Sequence, residues 1–248
     1  MAGAKRRLDL VLVERGLAES RSRAQALIIA GIVWSGDRRL DKPGQAVAVD
    51  LPLEVKGRDH PYVSRGGLKL AAGLDAFGFD PAGRIALDIG ASTGGFTDVL
   101  LRRGAAKVYA VDVGHGQLDW TLRNDPRVVV LEKTNARRLS RAEIPEAPGM
   151  VVCDASFIGL ETVLEPALDL AAPGAFLAAL IKPQFEVGPD KVGKGGVVRD
   201  PALHAEVCER IRAWLSARPG WRVLGLTESP ILGPEGNREF LIGAAKDA

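Results

Sequence analysis

The sequence predicts an α/β fold in two parts: a small α+β module at residues 1–59 and, after a linker at 60–66, a mainly parallel, doubly wound sheet at 67–248. Three observations predict this fold. Residues 1–59 carry eleven Lys and Arg against eight Asp and Glu, whereas the rest is nearly neutral. Beyond the linker, continuous apolar segments alternate with helical ones, as in a sheet covered on both faces. Between the two parts lies a segment with Gly, Pro and basic residues, which is typical of a domain boundary.

Composition and cysteine usage narrow the class of protein. With 46% hydrophobic and 26% charged residues among 248, the chain has the composition of a globular protein with a sizeable core. Its two cysteines, Cys153 and Cys208, form neither a disulfide framework nor a metal motif, and its three histidines lack ligand spacing. No apolar run approaches the ~20 residues of a membrane helix, and no secretory signal is evident. We therefore expect a monomeric cytoplasmic protein that binds neither metal nor membrane.

Residues 7–50 predict two short helices and a short sheet. The first helix begins near Leu8 and stops at Gly16. Ser20 is a natural N-cap for the second helix, because its hydroxyl can accept a hydrogen bond from an exposed backbone N–H, and Gly31 ends that helix. The segments "IVWSGD" and "QAVAVD" alternate like strands and are separated by turn residues.

Basic residues gather in this module and its linker. Guanidinium groups suit phosphate because they bind it in bidentate geometry, so the excess of cations indicates contact with a polyanion. An ordinary solvated surface is the alternative, and charge alone does not separate the two interpretations. The candidate cations are Lys5, Arg6, Arg7, Arg21, Arg23, Lys42 and Arg65.

The order "RLD…SR..A..LI..G.V" across residues 7–50 resembles the small S-four-type RNA-binding domain, also called the αL fold. The resemblance implies that residues 1–59 dock on folded RNA and read its shape through the backbone rather than through base sequence. The cations named above then become candidate RNA-binding residues.

The larger part alternates helices and strands and begins with a helix in "LKLAAGLDAFGF". Seven strands are predicted in "RIALDIG", "KVYAVDV", "RVVVLEK", "GMVVCDA", "AFLAALI", "WRVLGLT" and "REFLIGA". Predicted helices such as "TDVLLRRG", "LETVLEPALDLA" and "PALHAEVCERIRAWLSA" lie between several of them. This alternation indicates a mainly parallel sheet, and the short connection between the last two strands predicts an antiparallel edge pair.

The turn after the first of these strands, "LDIGASTGGFTDVL", predicts a ligand site. Its glycines let the backbone approach a ligand at the edge where such sheets bind cofactors. The spacing G-x-x-x-G-G fits a dinucleotide poorly, and Asp88 at the strand tip suits a cationic group. After the second strand, Asp112 can accept both hydroxyls of a ribose, and Asn135 after the third can contact an adenine edge.

A nucleoside with a positively charged tail fits this set of residues, and S-adenosylmethionine is such a molecule. Each acid taken alone is more often a strand-end turn residue. The candidate cofactor-binding residues are Asp88, Gly90, Ala91, Ser92, Gly94, Gly95, Phe96, Thr97, Asp112, Val113, Asn135 and Asp154.

The apolar strand at 175–181 ends in a lysine, Lys182. A lysine at a strand end often only extends its ammonium into water. Here Asp154 ends the preceding strand, while Lys69 lies in the helix before the first strand and Glu239 starts the last. This order of Lys, Asp, Lys and Glu resembles the catalytic tetrad of FtsJ-type ribose 2′-O-methyltransferases. The resemblance implies a class I, Rossmann-like, S-adenosylmethionine-dependent domain with these four residues as its catalytic set.

The residue types suit that chemistry. A ribose 2′-hydroxyl is a poor nucleophile and must lose its proton as the methyl group arrives. Lys182 can act as a base if desolvation and the second ammonium depress its pKa, or it can stay charged and stabilise the developing alkoxide. The sequence leaves both roles open, with Asp154 and Glu239 orienting the ammonium groups. Phe157 is a candidate to stack on a flipped target base, although an aromatic residue at this position is more often part of a core.

Motifs along nearly the whole chain, including "VSRGGLKL", "DASFI", "IKPQFEVG" and "GGVVRDP", resemble the TlyA family of hemolysin A-like ribosomal RNA methyltransferases. The resemblance implies 2′-O-methylation of cytidine in ribosomal RNA, with ribosomal subunits as partners. For some members it also implies a second site in small-subunit RNA. Members with both activities tend to have a longer tail than this sequence, so we expect the large subunit as substrate.

Three alternatives remain open. A non-catalytic RNA-binding or ribosome-assembly factor could keep the same fold, and titration with the cofactor would distinguish it. A methyltransferase for transfer RNA would present the same catalytic residues. A pore-forming hemolysin would need a membrane-inserting segment, and the sequence shows none.

Overall fold

The computed structural model describes residues 5–18, 20–56, 60–233 and 236–248. The small module contains the two predicted helices, α1 (Leu8–Glu14) and α2 (Arg21–Ile29). Its short strands are β1 (Lys5–Arg7), β2 (Val33–Ser35), β3 (Arg38–Arg39), β4 (Ala46–Ala48) and β5 (Glu54–Val55). Strand β1 pairs with β4, and β2 lies between β3 and β5, so the predicted short sheet is in fact two small antiparallel sheets.

The helices of the small module end where the sequence predicts. Ser20 Oγ accepts a hydrogen bond from the Arg23 backbone N–H at 3.1 Å and thereby caps α2. Gly16 and Gly31, which follow the two helices, have φ values of 69° and 78°, a region that glycine adopts without a steric penalty. The apolar faces then meet in a core that includes Leu8, Val11, Leu12, Ala24, Ile28 and Val33.

The large module contains all seven predicted strands. They are β6 (Ile85–Ile89), β7 (Lys107–Val111), β8 (Val128–Leu131), β9 (Met150–Cys153), β10 (Phe176–Ile181), β11 (Trp221–Glu228) and β12 (Phe240–Lys246). They lie side by side in the order β11, β12, β10, β9, β6, β7, β8. Strands β6 to β10 are parallel. Strand β12 is antiparallel to both β10 and β11, so the predicted antiparallel pair is confirmed.

Helices cover both faces of this sheet. They are α3 (Gly66–Phe77), α4 (Gly95–Arg102), α5 (Trp120–Arg123), α6 (Leu160–Leu170), α7 (Pro183–Glu186) and α8 (Pro201–Ser216). Alternate residues of β10 enter different cores, as the period of a strand requires: Leu177 and Ala179 pack with α6 and α8, whereas Ala178 packs with α3 and α4. Among the described helices, none is both long and apolar enough to cross a membrane.

The segment before α3 is fixed to the large module. The Val63 backbone N–H donates a hydrogen bond to Asp98 Oδ2 at 2.8 Å. Tyr62 covers Gly67 so closely that a Cβ at Gly67 would lie 2.5 Å from the Tyr62 ring. The predicted domain boundary at residue 59 falls on 57–59, which lie outside the described residues. From His60 onward the chain runs directly into the first helix of the large module.

A buried acid organises the basic surface of the small module. The Asp9 side chain is fully buried and accepts hydrogen bonds from Arg7 at 2.8 and 3.0 Å, from Arg21 at 3.0 Å and from Gln25 at 3.0 Å. The hydrogen bond from Arg7 is the largest cause that holds the pKa of Asp9 well below its usual range. Two of the predicted RNA-binding cations are therefore held by one carboxylate, while Arg6 pairs separately with Glu14. The sequence analysis did not identify Asp9.

We predict that Asp9→Ala lowers the free energy of unfolding by about 1–3 kcal/mol, because the hydrogen bonds that Asp9 accepts from Arg7, Arg21 and Gln25 are lost. Urea denaturation of the whole chain measures the loss, and hydrogen exchange of residues 8–29 locates it. Asp50→Ala, at an exposed turn, is the matched control with an expected change below about 0.5 kcal/mol. Equal stability of the two variants would contradict the structural role given to Asp9.

Candidate active site

A cavity of about 780 Å³ opens at the edge of the sheet where the parallel strands end. Both modules line this cavity: Asp41 and Lys42 come from the small module, and the wall opposite comes from the ends of β6, β7, β9 and β10. All four predicted catalytic residues line it: Lys69, Asp154, Lys182 and Glu239. The strand ends of an α/β sheet are the usual location of a ligand site, so this cavity is the candidate active site.

Two ammonium–carboxylate pairs lie in the cavity. Lys182 Nζ is 2.6 Å from Asp154 Oδ1, and Lys69 Nζ is 2.5 Å from Glu239 Oε2. Lys69 and Glu239 have 6% and 0% of their side chains exposed, and Lys182 has 8%, so three of the four groups are almost completely removed from water. Lys182 Nζ also donates to Ser156 Oγ at 2.9 Å. The ammonium of Lys182 therefore points along the cavity wall toward the Asp154 loop rather than into bulk water.

The charges in the cavity decide the protonation state of Lys182 in the free protein. Burial lowers the pKa of Lys182, but the carboxylates of Asp154 and Glu239 outweigh it, so the pKa lies above its ordinary value. Burial likewise raises the pKa of Asp154, and the Lys182 and Lys69 ammonium groups outweigh that effect and lower it. The sequence leaves two roles open for Lys182, a base or a charged donor. A base needs a depressed pKa, whereas the pKa of Lys182 in the free protein is raised.

The cavity mouth carries three of the predicted RNA-binding residues. Arg65, at the N-cap of α3, and Lys42 line it from the two modules. Burial lowers the pKa of Arg65 and the nearby Arg39 lowers it further, because two guanidinium groups converge there. Phe157 also lines the cavity, with 89% of its surface exposed, so it is not part of a core.

Backbone geometry shapes the part of the cavity between β6 and β7. The Asp112 carboxylate accepts hydrogen bonds from the backbone N–H groups of Ser92 at 2.8 Å and Gly114 at 2.7 Å, which draws the two loops together. Gly90 has a φ of 79°, and a Cβ there would lie 2.9 Å from the backbone of Ala155. Glycine is therefore required at this turn, as the motif predicts.

The structure brings most of the predicted cofactor residues to the cavity, but not all. Those that line it are Gly90, Ala91, Ser92, Gly95, Phe96, Asp112, Val113, Asn135 and Asp154. Three others lie behind its wall. Gly94 is enclosed by Leu118 and Leu122, and Thr97 donates to Asp88 Oδ2 at 2.6 Å.

Asp88 is completely buried and does not line the cavity. Burial raises its pKa to about 7, with the Thr97 hydrogen bond opposing and the nearby Asp154 and Asp112 carboxylates adding to the rise. The sequence predicts that Asp88 contacts a cationic ligand. In this structure its side chain does not reach the cavity, so it is not placed for that contact. Its carboxyl group instead joins the end of β6 to Thr97 in α4 and so supports the glycine turn from behind.

Sequence analysis missed Asn237, which lines the cavity two residues before Glu239. Asn237 Oδ1 accepts a hydrogen bond from the Val198 backbone N–H at 3.1 Å, and its Nδ2 donates to the Gly196 carbonyl at 2.9 Å. The glycine-rich segment in "GKGGVV" is thereby attached beside the catalytic candidates. The motif "GNREF", which was used only for Glu239, contains the signal that could have found it.

Comparisons with known proteins agree with this architecture. The family model described as FtsJ-like methyltransferase matches residues 62–246, and the S4 domain model matches residues 6–51. The chain is 51% identical to the "Putative rRNA methyltransferase YqxC" of Bacillus subtilis, covering 98% of this chain and 86% of that protein. It is 50% identical to the 16S/23S rRNA (cytidine-2′-O)-methyltransferase TlyA of Mycobacterium tuberculosis, covering 95% of this chain and 88% of that protein.

A solved structure is similar over the whole chain as well. It is named "Putative hemolysin from Streptococcus thermophilus", is 41% identical, and superposes with a TM-score of 0.75 over 98% of this chain and 89% of that one. This chain therefore belongs to the TlyA family, in which an S4 domain precedes an FtsJ-like methyltransferase domain. The resemblance inferred from the sequence motifs is confirmed.

The buried Asp88 gives stability an unusual pH dependence. A carboxyl group whose folded pKa is raised binds its proton more tightly in the folded chain, so its contribution to stability falls as the pH rises from its ordinary value of 3.8 to about 7. We compare the free energy of unfolding of Asp88→Asn with that of the unmodified chain. We predict that the difference shifts in favour of the variant by up to about 1.4 kcal/mol per pH unit over this interval and is constant above it.

Thermal and urea unfolding at pH 4 to 8 measure this difference. Asp169→Asn, at an exposed ion pair with Arg218, is the control and is expected to give a nearly flat difference. If the Asp88→Asn difference is equally flat, Asp88 is ionised in the folded protein and the description of its environment is wrong.

Proposed function

Because this chain belongs to the TlyA family, we propose that it transfers a methyl group from S-adenosylmethionine to the ribose 2′-hydroxyl of a cytidine in ribosomal RNA, with the large subunit as its substrate. The observation that carries the proposal is the pair of buried contacts, Lys182–Asp154 at 2.6 Å and Lys69–Glu239 at 2.5 Å, within one cavity. Four charged side chains from four separate elements would not be kept in an apolar edge of the sheet for stability alone.

The residues of the cavity suit S-adenosylmethionine. Asp112 follows β7, where its carboxylate can accept the hydroxyls of a ribose, Asp154 supplies negative charge, and Asn135 follows β8 at a position where an adenine edge can be contacted. The absence of a side chain at Gly90 lets the turn after β6 pack against the backbone of Ala155, so that the turn and Asp154 line the same cavity. The cavity volume of about 780 Å³ also lies within the range of about 300–1,000 Å³ that is typical of small-molecule sites. When bound, the cofactor supplies a methyl group activated by a sulfonium.

The protein's own contribution is to hold the 2′-oxygen and to stabilise its charge. Lys182 is an ammonium in the free protein, so it donates a hydrogen bond to the 2′-oxygen as negative charge develops there. Asp154 orients that ammonium through the 2.6 Å contact, and Glu239 does the same for Lys69. Lys182 would thus stabilise the 2′-oxygen as its proton leaves to water or to a carboxylate of the tetrad, and S-adenosylmethionine held in the cavity would supply the methyl group.

The small module and the mouth of the cavity are proposed to bind the RNA. Lys42 and Arg65 lie at the mouth from either side, where they can contact the phosphates that flank the target nucleotide. Phe157 lines the same cavity and is exposed, so it can stack on the target base once that base leaves its helix. The other proposed phosphate contacts are Lys5, Arg6, Arg7, Arg21 and Arg23 in the small module.

The test uses labelled S-adenosylmethionine with purified 50S subunits, 30S subunits and 70S ribosomes that lack the modification, followed by mapping of the labelled nucleotide. We predict label on the ribose of a large-subunit cytidine. Lys182→Ala is expected to reduce the rate about 100- to 1,000-fold, because it removes a charged donor to the reacting oxygen. Calorimetry should show that this variant still binds the cofactor.

Lys107→Ala is the matched control, because Lys107 begins β7 at the edge of the sheet opposite the cavity. We expect this variant to transfer methyl groups at the rate of the unmodified chain. Label on 30S as well would extend the substrate to both subunits. Label on a base rather than a ribose, or no label on any ribosomal particle despite cofactor binding, would contradict the proposal.

A further inference from the structure

Lys182 and the segment that follows it contact the loop that carries Asp154. One contact is made by Lys182 and the other by Phe185, and both residues line the cavity. We call residues 154–159 the aspartate loop. Lys182 Nζ holds the start of this loop through the Asp154 backbone O at 3.1 Å and Ser156 Oγ at 2.9 Å. Phe185, in α7, packs against Phe157 in the middle of the loop, with ring centroids 4.9 Å apart. The strand end with the lysine and the loop with the acid are thus joined at two points.

Glu186 holds the far end of the aspartate loop, where α6 begins. The N-cap residue of α6, Gly159, has no side chain to accept a hydrogen bond from the first turn. Glu186 supplies that acceptor from another element: its Oε1 accepts from the Leu160 backbone N–H at 2.7 Å. Its Oε2 accepts from Arg210 in α8 at 2.7 Å, and only 4% of the Glu186 side chain is exposed.

The aspartate loop needs such support because its backbone is strained. Phe157 has a φ of 65°, in a region that residues with a side chain rarely adopt. Such a conformation costs about 1–3 kcal/mol and persists only where the surroundings impose it. Phe157 is too exposed to be held by its own burial. The support therefore comes from the ends of the loop and from Phe185.

We propose that Glu186 is a positioning residue for methyl transfer: by capping α6 it fixes the aspartate loop, and thereby holds Asp154 against Lys182 and Phe157 at the cavity mouth. This inference rests on the proposed function for its kinetic consequence. Glu186 does not itself line the cavity, so it acts through the loop and not by touching the substrate.

Two substitutions separate the cap from the charge. Glu186→Gln keeps a side-chain oxygen at the same reach and loses the charge, and it is made together with Arg210→Met so that its amide NH2 group does not face a guanidinium group. Glu186→Asp keeps the charge and is one methylene shorter, so it cannot reach the Leu160 N–H. We expect Glu186→Gln to keep the rate of methyl transfer within about 3-fold. We expect Glu186→Asp to lower kcat at least 10-fold and to raise the KM for S-adenosylmethionine by a smaller factor, because Asp154 in the loosened loop also lines the part of the cavity that faces the cofactor.

Glu165→Asp is the matched control, since Glu165 lies on the exposed side of α6 and pairs with Arg218. It should change neither constant. A purely structural role would lower the melting temperature of Glu186→Asp without changing kcat below that temperature. A wild-type kcat in Glu186→Asp, or equal losses in the Gln and Asp variants, would overturn the proposal.

Arg210→Met is a second test that does not depend on the folding of Glu186→Asp. It removes the ion pairs of Arg210 with both Glu186 and Glu161 and leaves in place the hydrogen bond that the Leu160 N–H donates to Glu186. Its kcat is expected to stay within about 3-fold of the unmodified chain. A loss of 10-fold or more would show that the ion pair and not the cap matters, and would overturn the proposal.

Hydrogen exchange of residues 154–160 gives a readout that needs no activity. The Leu160 amide and the aspartate loop should exchange faster in Glu186→Asp than in the unmodified chain and in Glu186→Gln. Equal exchange in all three proteins overturns the proposal. If the unmodified chain methylates no ribosomal RNA, the proposed function fails, and the exchange result still decides whether Glu186 holds the loop.

Discussion

Two lysine ammonium groups are buried in one cavity, and the rest of the site depends on how their charge is balanced. Removing such a group from water costs several kcal/mol, and two of them also repel each other. Asp154 and Glu239 make the arrangement possible, each within 2.6 Å of one lysine. Lys69 and Glu239 are 170 residues apart in sequence, so this balance exists only after the helix before the sheet and its last strand have come together.

The position of β12 in the sheet explains how they come together. Because β12 is antiparallel, it begins at the edge where the parallel strands end. Its register pairs Phe240 with Ile181, so the residues one step further out, Glu239 and Lys182, both leave the sheet at the cavity. A parallel last strand would carry its first residue to the opposite edge. The antiparallel insertion of β12 between β10 and β11 thus brings the residue that precedes β12 to the cavity and completes the tetrad.

The sequence was sufficient for features that depend on local patterns. The seven strands follow from apolar periodicity and the Ser20 cap from capping chemistry. The four catalytic candidates came from the resemblance to FtsJ-type methyltransferases, and the structure brings them into one cavity. Features that depend on packing between distant segments were not accessible. The hydrogen bond of Asp88 to Thr97, behind the cavity wall, and the cap that Glu186 gives to α6 have no local signature. Likewise, burial and nearby carboxylates act in opposite directions on Lys182, so its pKa required the structure.

The charge of Lys182 is the most direct test of this balance. NMR titration of the chain with lysine labelled at the ε-carbon, assigned through Lys182→Arg, measures the pKa of this group without a substrate. The predicted pKa lies above the ordinary value of 10.5, and in Asp154→Asn it should fall, because the nearest carboxylate is lost. A titration midpoint below about 8 in the unmodified protein would contradict the balance described here and would make Lys182 a base before any ligand binds.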